Sequence, residues 1–240
     1  MRDRELREWA SGLFTRRAAL PLRWQDFRLI AFDMDSTLIA SETVDELAEL
    51  AGRKAEIEAM THAAMAGPHV DFEQNLRARL ALLGGVPETL LHKVRDEHMP
   101  LTPGASELIA TCRSHGLRCV LISGGFTLFA DALIGRLGLD EIHANVLEIE
   151  AGVFTGRILT QPGQSFVGAA GKRQRLLDAC ARMGVPPGQS IAVGDGANDL
   201  QMLGAAGLSV AFHAKPVVCG QADVVIERGG LDRLVELFAD

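Results

Sequence analysis

Residues 29–38 read Leu-Ile-Ala-Phe-Asp-Met-Asp-Ser-Thr-Leu. Four apolar residues run without a break into Asp33, and a second carboxylate, Asp35, follows two positions later. A short unbroken apolar run predicts a strand buried on both faces, the pattern of a parallel sheet covered by helices. In such sheets ligands gather beyond the carboxyl ends of the strands. The two aspartates therefore stand where a site is expected, and the rest of the chain is read by asking what gathers around them.

Length allows one large domain or two small ones, at roughly 150 residues per domain: the chain has 240 residues, 48% of them hydrophobic. The formal net charge is −7. With no basic stripe, a nucleic acid is excluded as a partner. The longest apolar stretch, 119–130, is broken by Ser123-Gly124-Gly125. It falls short of the roughly 20 residues that span a bilayer, so no membrane partner is expected. The N-terminus opens with Arg2, Asp3, Arg4, Glu5 and Arg7 and lacks the apolar centre of a signal peptide. Cys112, Cys119, Cys180 and Cys219 show no C-x-x-C spacing. Four reduced thiols in a cytoplasmic protein are the expectation.

Leu6, Trp9 and Leu13 recur at spacings of three and four, which predicts an amphipathic helix over residues 3–17. After the aspartates the pattern turns helical. Thr43-Val44-Asp45-Glu46 fits a capping box with Thr43 as N-cap and Glu46 at N3. Further helices are expected over 54–65, from Phe72 to Gly84, and from Pro87 to Glu97. Residues 43–102 form a helical insert without a strand pattern. From Pro103 onward helices and strands alternate. A hairpin is expected across Ala151-Gly152, strands end at Ser123 and Gly194, and a last helix starts at Leu231. The expected fold class is α/β: a three-layer α/β/α core of residues 1–42 and 103–240 around a parallel sheet, with 1–28 as a helical extension and 43–102 as a small helical domain.

Three strand ends carry polar groups that can converge: Asp33 with Asp35, Ser123 with Gly124, and Asp195 through Asp199. Any one Asp after a strand can be no more than a helix N-cap. Four carboxylates, Asp33, Asp35, Asp195 and Asp199, are different, because brought together they repel one another unless a cation joins them. Mg²⁺ is bound through one or two carboxylates plus waters and phosphate oxygens. Lys172, after a Gly- and Ala-rich loop, adds a cation, and Ser123 and Gly124 add a hydroxyl and N–H groups. These parts suit a phosphoryl group. An Asp carboxylate can serve as nucleophile and form an aspartyl-phosphate, and a second carboxyl two residues on can protonate the leaving oxygen and then activate water.

Arg79 shares a helix face with Phe72, Leu76 and Leu83. It is either a snorkelling side chain at the edge of the stripe or a guanidinium that grips a substrate carboxylate in a cleft. Glu42 is either an acid favoured at a helix N-terminus or the partner of a substrate ammonium. Gly171-Lys172 fails as a P-loop, with Phe166 in place of the first glycine and Arg173 in place of Ser or Thr. Gly194-x-Gly196-x-x-Asp199 fails the dinucleotide pattern at its last position. The seven histidines show no ligand spacing.

Taken together, Asp33-Met-Asp35-Ser-Thr-Leu, Ser123-Gly124-Gly125, Lys172 and Gly194-Asp195-Gly196-Ala197-Asn198-Asp199 resemble, in order, the four motifs of the haloacid dehalogenase superfamily. Glu42, Met65 and the run Asp71-Phe72-Glu73-Gln74 with Arg79 resemble the phosphoserine phosphatase family within it. The likeness runs from about Leu29 to the C-terminus. It implies a Rossmann-like core with a small helical-bundle cap and Mg²⁺-dependent hydrolysis of a small phosphorylated amino acid. It implies Asp33 as nucleophile and metal ligand, Asp35 as acid/base with its carbonyl on the metal, Asp195 as a ligand, and Asn198 and Asp199 as supporting ones. Ser123, Gly124, Lys172 and Asn198 are implied at the phosphate, and Glu42, Met65, Phe72 and Arg79 at the serine moiety, in a monomer or homodimer. A phosphatase or phosphotransferase for another small metabolite is the alternative. Three departures stand out: about 28 residues precede the core where many members carry a regulatory domain, 66–71 is one residue longer than the usual spacing, and Gly171 replaces a frequent Ala, which is expected to be harmless.

Overall fold

The computed structural model describes residues 5–65, 72–159 and 165–239, and for 61–65 the backbone path alone. The chain opens with β1 (Arg7–Ala10), β2 (Leu13–Thr15) and β3 (Leu22–Arg23), then enters β4 (Leu29–Phe32). Four helices follow: α1 (Thr43–Leu50), α2 (Lys54–Met65), α3 (Phe72–Leu82) and α4 (Glu88–Glu97). Helix and strand then alternate through α5 (Ala105–Ser114), β5 (Arg118–Phe126), α6 (Thr127–Leu137), β6 (Glu141–Glu150), β7 (Val153–Leu159), α7 (Ala169–Met183), β8 (Ser190–Gly194), α8 (Leu200–Ala205), β9 (Leu208–Phe212), α9 (Pro216–Cys219) and β10 (Val224–Ile226). A 3₁₀ stretch, Leu231–Leu237, leads into β11 (Phe238–Ala239), which pairs with β3.

Among the described residues nine strands form one sheet in the order β1-β2-β10-β9-β8-β4-β5-β6-β7. Neighbours from β10 to β6 run parallel. The antiparallel pairs lie at the two edges. Leu29 through Phe32 are fully buried. Ile30 and Phe32 pack on one side of the sheet with Leu121 and Val193, and Leu29 and Ala31 pack on the other with Val120 and Ala192. Period-two alternation into two cores explains why the strand is apolar throughout. β4 lies between β5 and β8. The chain leaves it toward one side and returns on the other, so its carboxyl end is a topological switch point, where a crevice opens.

The insert packs as α1 against α2 and α4, and α2 against α3. It meets the rest of the chain through α3 on β7 and α4 on α6. Leu47, Leu76, Leu80, Leu83, Leu91 and Val94 join the same core as Ile30 and Phe32. The turn between β6 and β7 has positive φ at both Ala151 (50°) and Gly152 (76°), the geometry that matches strand twist in a two-residue hairpin.

Three expectations are corrected. Residues 3–17 are not a helix within the described part. Strands β1 and β2 turn at Ser11 and Gly12 (φ 74°), and β2 pairs antiparallel with β10. The unpaired backbone along β10 accepts a neighbour, and this long-range pairing overrides the local spacing of Leu6, Trp9 and Leu13. Thr43 is the first residue of α1, not its cap; Glu42 occupies the N-cap position without a side-chain capping bond. The Thr43 N–H instead donates to Asp35 Oδ1 at 2.8 Å, so a carboxylate from outside the helix replaces the local cap. The stretch from Leu231 forms as 3₁₀ rather than α.

Candidate active site

Asp33 follows the last residue of β4, and its N–H donates to the Val193 carbonyl of β8 at 3.0 Å. Its Oδ1 accepts from Met34 N at 2.7 Å and lies 2.7 Å from Lys172 Nζ. Lys172 reaches Asp199 Oδ1 at the same distance. Both Lys172 and Asp199 have no exposed surface. Lys172 lies one turn inside α7 rather than at its opening, because the helix begins at Ala169. Asp199 in turn accepts from the Gly196 N–H at 3.0 Å. Gly194 makes its approach possible: a Cβ there would stand 2.5 Å from Asp199 Cγ.

Asp33, Asp195 and Asp199 can each place a carboxylate oxygen within 4.8 Å of the others. The Asp35 carboxylate stands outside this group, turned to the N-terminus of α1. Burial pushes the Asp33 carboxyl well above its ordinary range; Asp199 and Asp195 push the same way and Lys172 opposes them. Asp195 is raised to about 6 by burial, then by Asp199 and Glu42. Burial lowers the Lys172 ammonium, but Asp199 and Asp33 more than offset this and hold it charged. With all three carboxyls ionised, one ammonium would leave two negative charges in a buried cluster of hard oxygen donors. That donor set fits a divalent cation such as Mg²⁺.

Opposite Asp33, β5 departs from its ladder. Ile122 pairs with His143 and Phe126 with Asn145, so the three residues Ser123, Gly124 and Gly125 face a single residue of β6. The bulge re-aims the backbone. The Gly125 N–H donates to Ser123 Oγ at 2.8 Å. With a lone pair engaged, that hydroxyl keeps its own proton to donate. A Cβ on Gly125 would lie 3.0 Å from Asp35 Oδ2 and 2.7 Å from Met34 Cε, so a side chain at this position would press on the acidic turn.

Asp35 is half-buried. Burial and the neighbouring Glu42 raise it to about 7, against hydrogen bonding by Thr43. Glu42 accepts from Ser36 Oγ at 2.7 Å. Ser36 itself has φ 55°, a left-handed conformation uncommon for a residue with a side chain. Glu42 is thus next to Asp35 and acts on Asp195 as well.

From the insert, Phe72 reaches the bulge: a Cβ on Gly124 would meet its ring at 3.2 Å. The Phe72 ring lies 6.3 Å from that of Phe166, which also carries the Arg77 guanidinium at 5.7 Å. Phe72, Glu73, Phe166, Asn198 and Lys215 line a cavity of about 670 Å³. Arg79 is mostly buried and pairs with Asp45 of α1; its Nε is buried without a partner among the described residues. The inward stripe of α3 runs through Leu76 and Leu80, so Arg79 flanks it. The side chain of Met65 and all of Asp71 lie outside the described residues. Gly171 is not a passive difference: a Cβ there would stand 2.3 Å from the Phe166 carbonyl oxygen.

Two participants were invisible as motifs. The Thr43 N–H on Asp35 has no sequence signal beyond the start of a helix. Asn145 has one: it occupies a strand, where Asn is depleted, and it is buried.

This constellation at the switch point of a parallel sheet defines a class. The chain belongs to the haloacid dehalogenase-like hydrolase family, whose model matches residues 30–204. It is 55% identical to a phosphoserine phosphatase of Albidiferax ferrireducens, over 95% of this chain and 97% of that protein. It is 50% identical to a phosphoserine phosphatase of a Polaromonas species, over 96% and 98%. Among solved structures it is similar to a phospho-aspartyl intermediate analogue of phosphoserine phosphatase, with a TM-score of 0.80 and 35% identity over 89% of this chain and 99% of that one.

Proposed function

We infer that this protein hydrolyses O-phospho-L-serine to L-serine and phosphate through an aspartyl-phosphate on Asp33, with Mg²⁺ as cofactor. The observation that carries the reading is the pairing of Asp33 with buried Lys172 beside Asp195 and Asp199, in a chain 55% identical to a phosphoserine phosphatase over almost its whole length.

Both contacts named for Asp33 fall on Oδ1, and Oδ2 is assigned as the attacking oxygen. It forms a bond to phosphorus as the bond to the serine oxygen breaks, in line. Asp35 gives its proton to the departing alkoxide. The same carboxylate then takes a proton from water, which attacks phosphorus, releases phosphate and restores Asp33. A value of about 7 suits both halves of this exchange near neutrality. Ser123 Oγ, the Gly124 N–H and Lys172 stabilise the phosphoryl oxygens, with Asn198 at the edge of the same site. Asp33, Asp195, Asp199 and the Asp35 carbonyl are assigned to Mg²⁺, which when bound neutralises charge on the phosphoryl group.

Residues 43–102 serve as a cap over this centre. Glu42 faces the substrate ammonium, Arg79 the substrate carboxylate, and Phe72 with Met65 the remaining wall. The burial of Arg79 and its Nε, unpartnered among the described residues, support that role. No helix among the described residues is long and apolar enough to cross a membrane. Four free cysteines support a cytoplasmic setting.

The test is phosphate release from O-phospho-L-serine with Mg²⁺ and after chelation, for the unaltered protein and for Asp33→Asn. Turnover is expected only with Mg²⁺ and Asp33. Cleavage of an aryl phosphate but not of phosphoserine would overturn the substrate assignment, and a fully active Asp33→Asn would overturn the mechanism.

A further inference from the structure

Asn145 faces the β5 bulge from the neighbouring strand and is 6% exposed. Its Nδ2 donates to the Gly124 carbonyl at 2.9 Å and to the Val167 carbonyl at 3.4 Å. Its Oδ1 accepts from the Val167 N–H at 2.9 Å. One side-chain amide therefore joins two backbone segments that otherwise belong to different strand–helix units.

The consequences meet at the phosphate-binding groups. The Gly124–Gly125 peptide is held at both ends, its carbonyl by Asn145 and its N–H by Ser123 Oγ. A peptide fixed at both ends cannot rotate, so the bulge keeps one set of directions for the Ser123 hydroxyl and the Gly124 N–H. On the other side, Val167 precedes Gly168, whose carbonyl accepts from the Lys172 N–H at 2.7 Å in the first turn of α7. Asn145 thus ties the segment that presents Ser123 and Gly124 to the segment that presents Lys172. In a buried site a donor displaced by about 1 Å costs roughly 100-fold in rate.

We propose that Asn145 is a positioning residue for phosphoryl transfer: its amide locks the β5 bulge to the loop before α7 and so sets the spacing between the two halves of the phosphate cradle. It does not touch the substrate. The proposal rests on the phosphatase reading of this site and predicts a pattern that a substrate-contacting residue would not show. Because the phosphoryl group is common to every substrate, damage at Asn145 falls on all of them equally.

Asn145→Asp keeps size and replaces the donor with an oxygen facing two carbonyls; Asn145→Ala removes the side chain. For both, kcat/KM is measured on phosphoserine and on an aryl phosphate, with the inhibition constant of orthovanadate, at a temperature where the variants are folded. Expected is a loss of about 10- to 100-fold, the same for both substrates, with vanadate inhibition weakened in parallel. A variant with lowered Tm but kcat/KM and vanadate inhibition within twofold of the unaltered protein would show a structural role only and overturn the proposal. If neither variant folds, the unaltered protein decides. Vanadate should shift the NMR signals of the Asn145 side-chain amide and the Val167 N–H together with those of Gly124 and Gly125, and silence at Asn145 and Val167 would overturn it. Failure of the unaltered protein to hydrolyse phosphoserine would count against the substrate assignment instead, since the aryl phosphate still reads the cradle.

Discussion

Lys172 Nζ lies 2.7 Å from Asp33 Oδ1, and the same nitrogen lies 2.7 Å from Asp199. The lysine has no exposed surface. An ammonium so placed opposes the rise that burial imposes on the Asp33 carboxyl, and it also occupies oxygens that a metal would otherwise share.

Lys172→Met tests this pairing. Removing one member of a buried ion pair costs about 3–5 kcal/mol, which in a chain of this size lowers Tm by roughly 10 °C. Phosphatase activity should be lost. Calorimetric titration with Mg²⁺ should show tighter binding than to the unaltered protein, because the competing ammonium is gone. Weaker binding would mean that Lys172 organises the carboxylates rather than competing for them.

Stability of the metal-free protein should fall as pH rises. Asp195 is raised to about 6 and Asp33 is also raised, from about 3.9 in an unfolded chain. The folded state then binds more protons than the unfolded state between these values. The favourable contribution is complete below about 3.9 and is lost as pH passes the folded values. A divalent cation replaces those protons. The gain in Tm on adding Mg²⁺ should therefore be larger at pH 8 than at pH 5, as read by calorimetry, and an equal gain at both would count against the carboxylate cluster as the site.

Arg79 is held by Asp45, one turn along α1 from Glu42. Arg79→Ala should raise KM for phosphoserine by roughly 10- to 100-fold, the range of a charged hydrogen bond of about 1.5–3 kcal/mol, with an aryl phosphate little affected. Asp45→Asn should shift KM in the same direction by less. Steady-state kinetics on both substrates checks this; equal effects on both substrates would remove Arg79 from the substrate pocket.

Gly171→Ala would set a Cβ 2.3 Å from the Phe166 carbonyl. The backbone must move, at about 1–3 kcal/mol, and Phe166 moves away from Phe72 and Arg77. A Tm lowered by several degrees is expected in a thermal melt. An unchanged Tm would show that the loop yields freely and that the glycine is not needed there.

The order of motifs along the chain singles out Asp33, Lys172 and Asp199, and the fold brings these three side chains into contact. Each follows or adjoins an element whose apolar pattern marks it as buried, and in a parallel sheet such strand ends converge. The alternation of helix and strand after Pro103 was legible for the same reason, since periodicity of burial is written locally. The N-terminal segment departs from its local pattern because the spacing of Leu6, Trp9 and Leu13 is a local signal, whereas its structure is set by the edge of β10, more than 200 residues away in sequence.

What the sequence alone determined is the set of candidate groups, the carboxylates, the cation and the hydroxyl, and the buried strand that leads to the first of them. What only the tertiary structure decided is their relation. Lys172 spans two carboxylates that follow different strands, Asp35 is drawn off to the N–H of Thr43, and Asn145 joins the bulge to the loop before α7. Each of these is a hydrogen bond or ion pair between groups eight or more residues apart in the chain. Its partner is chosen by where the sheet brings the backbone, and no local pattern of residue types encodes that.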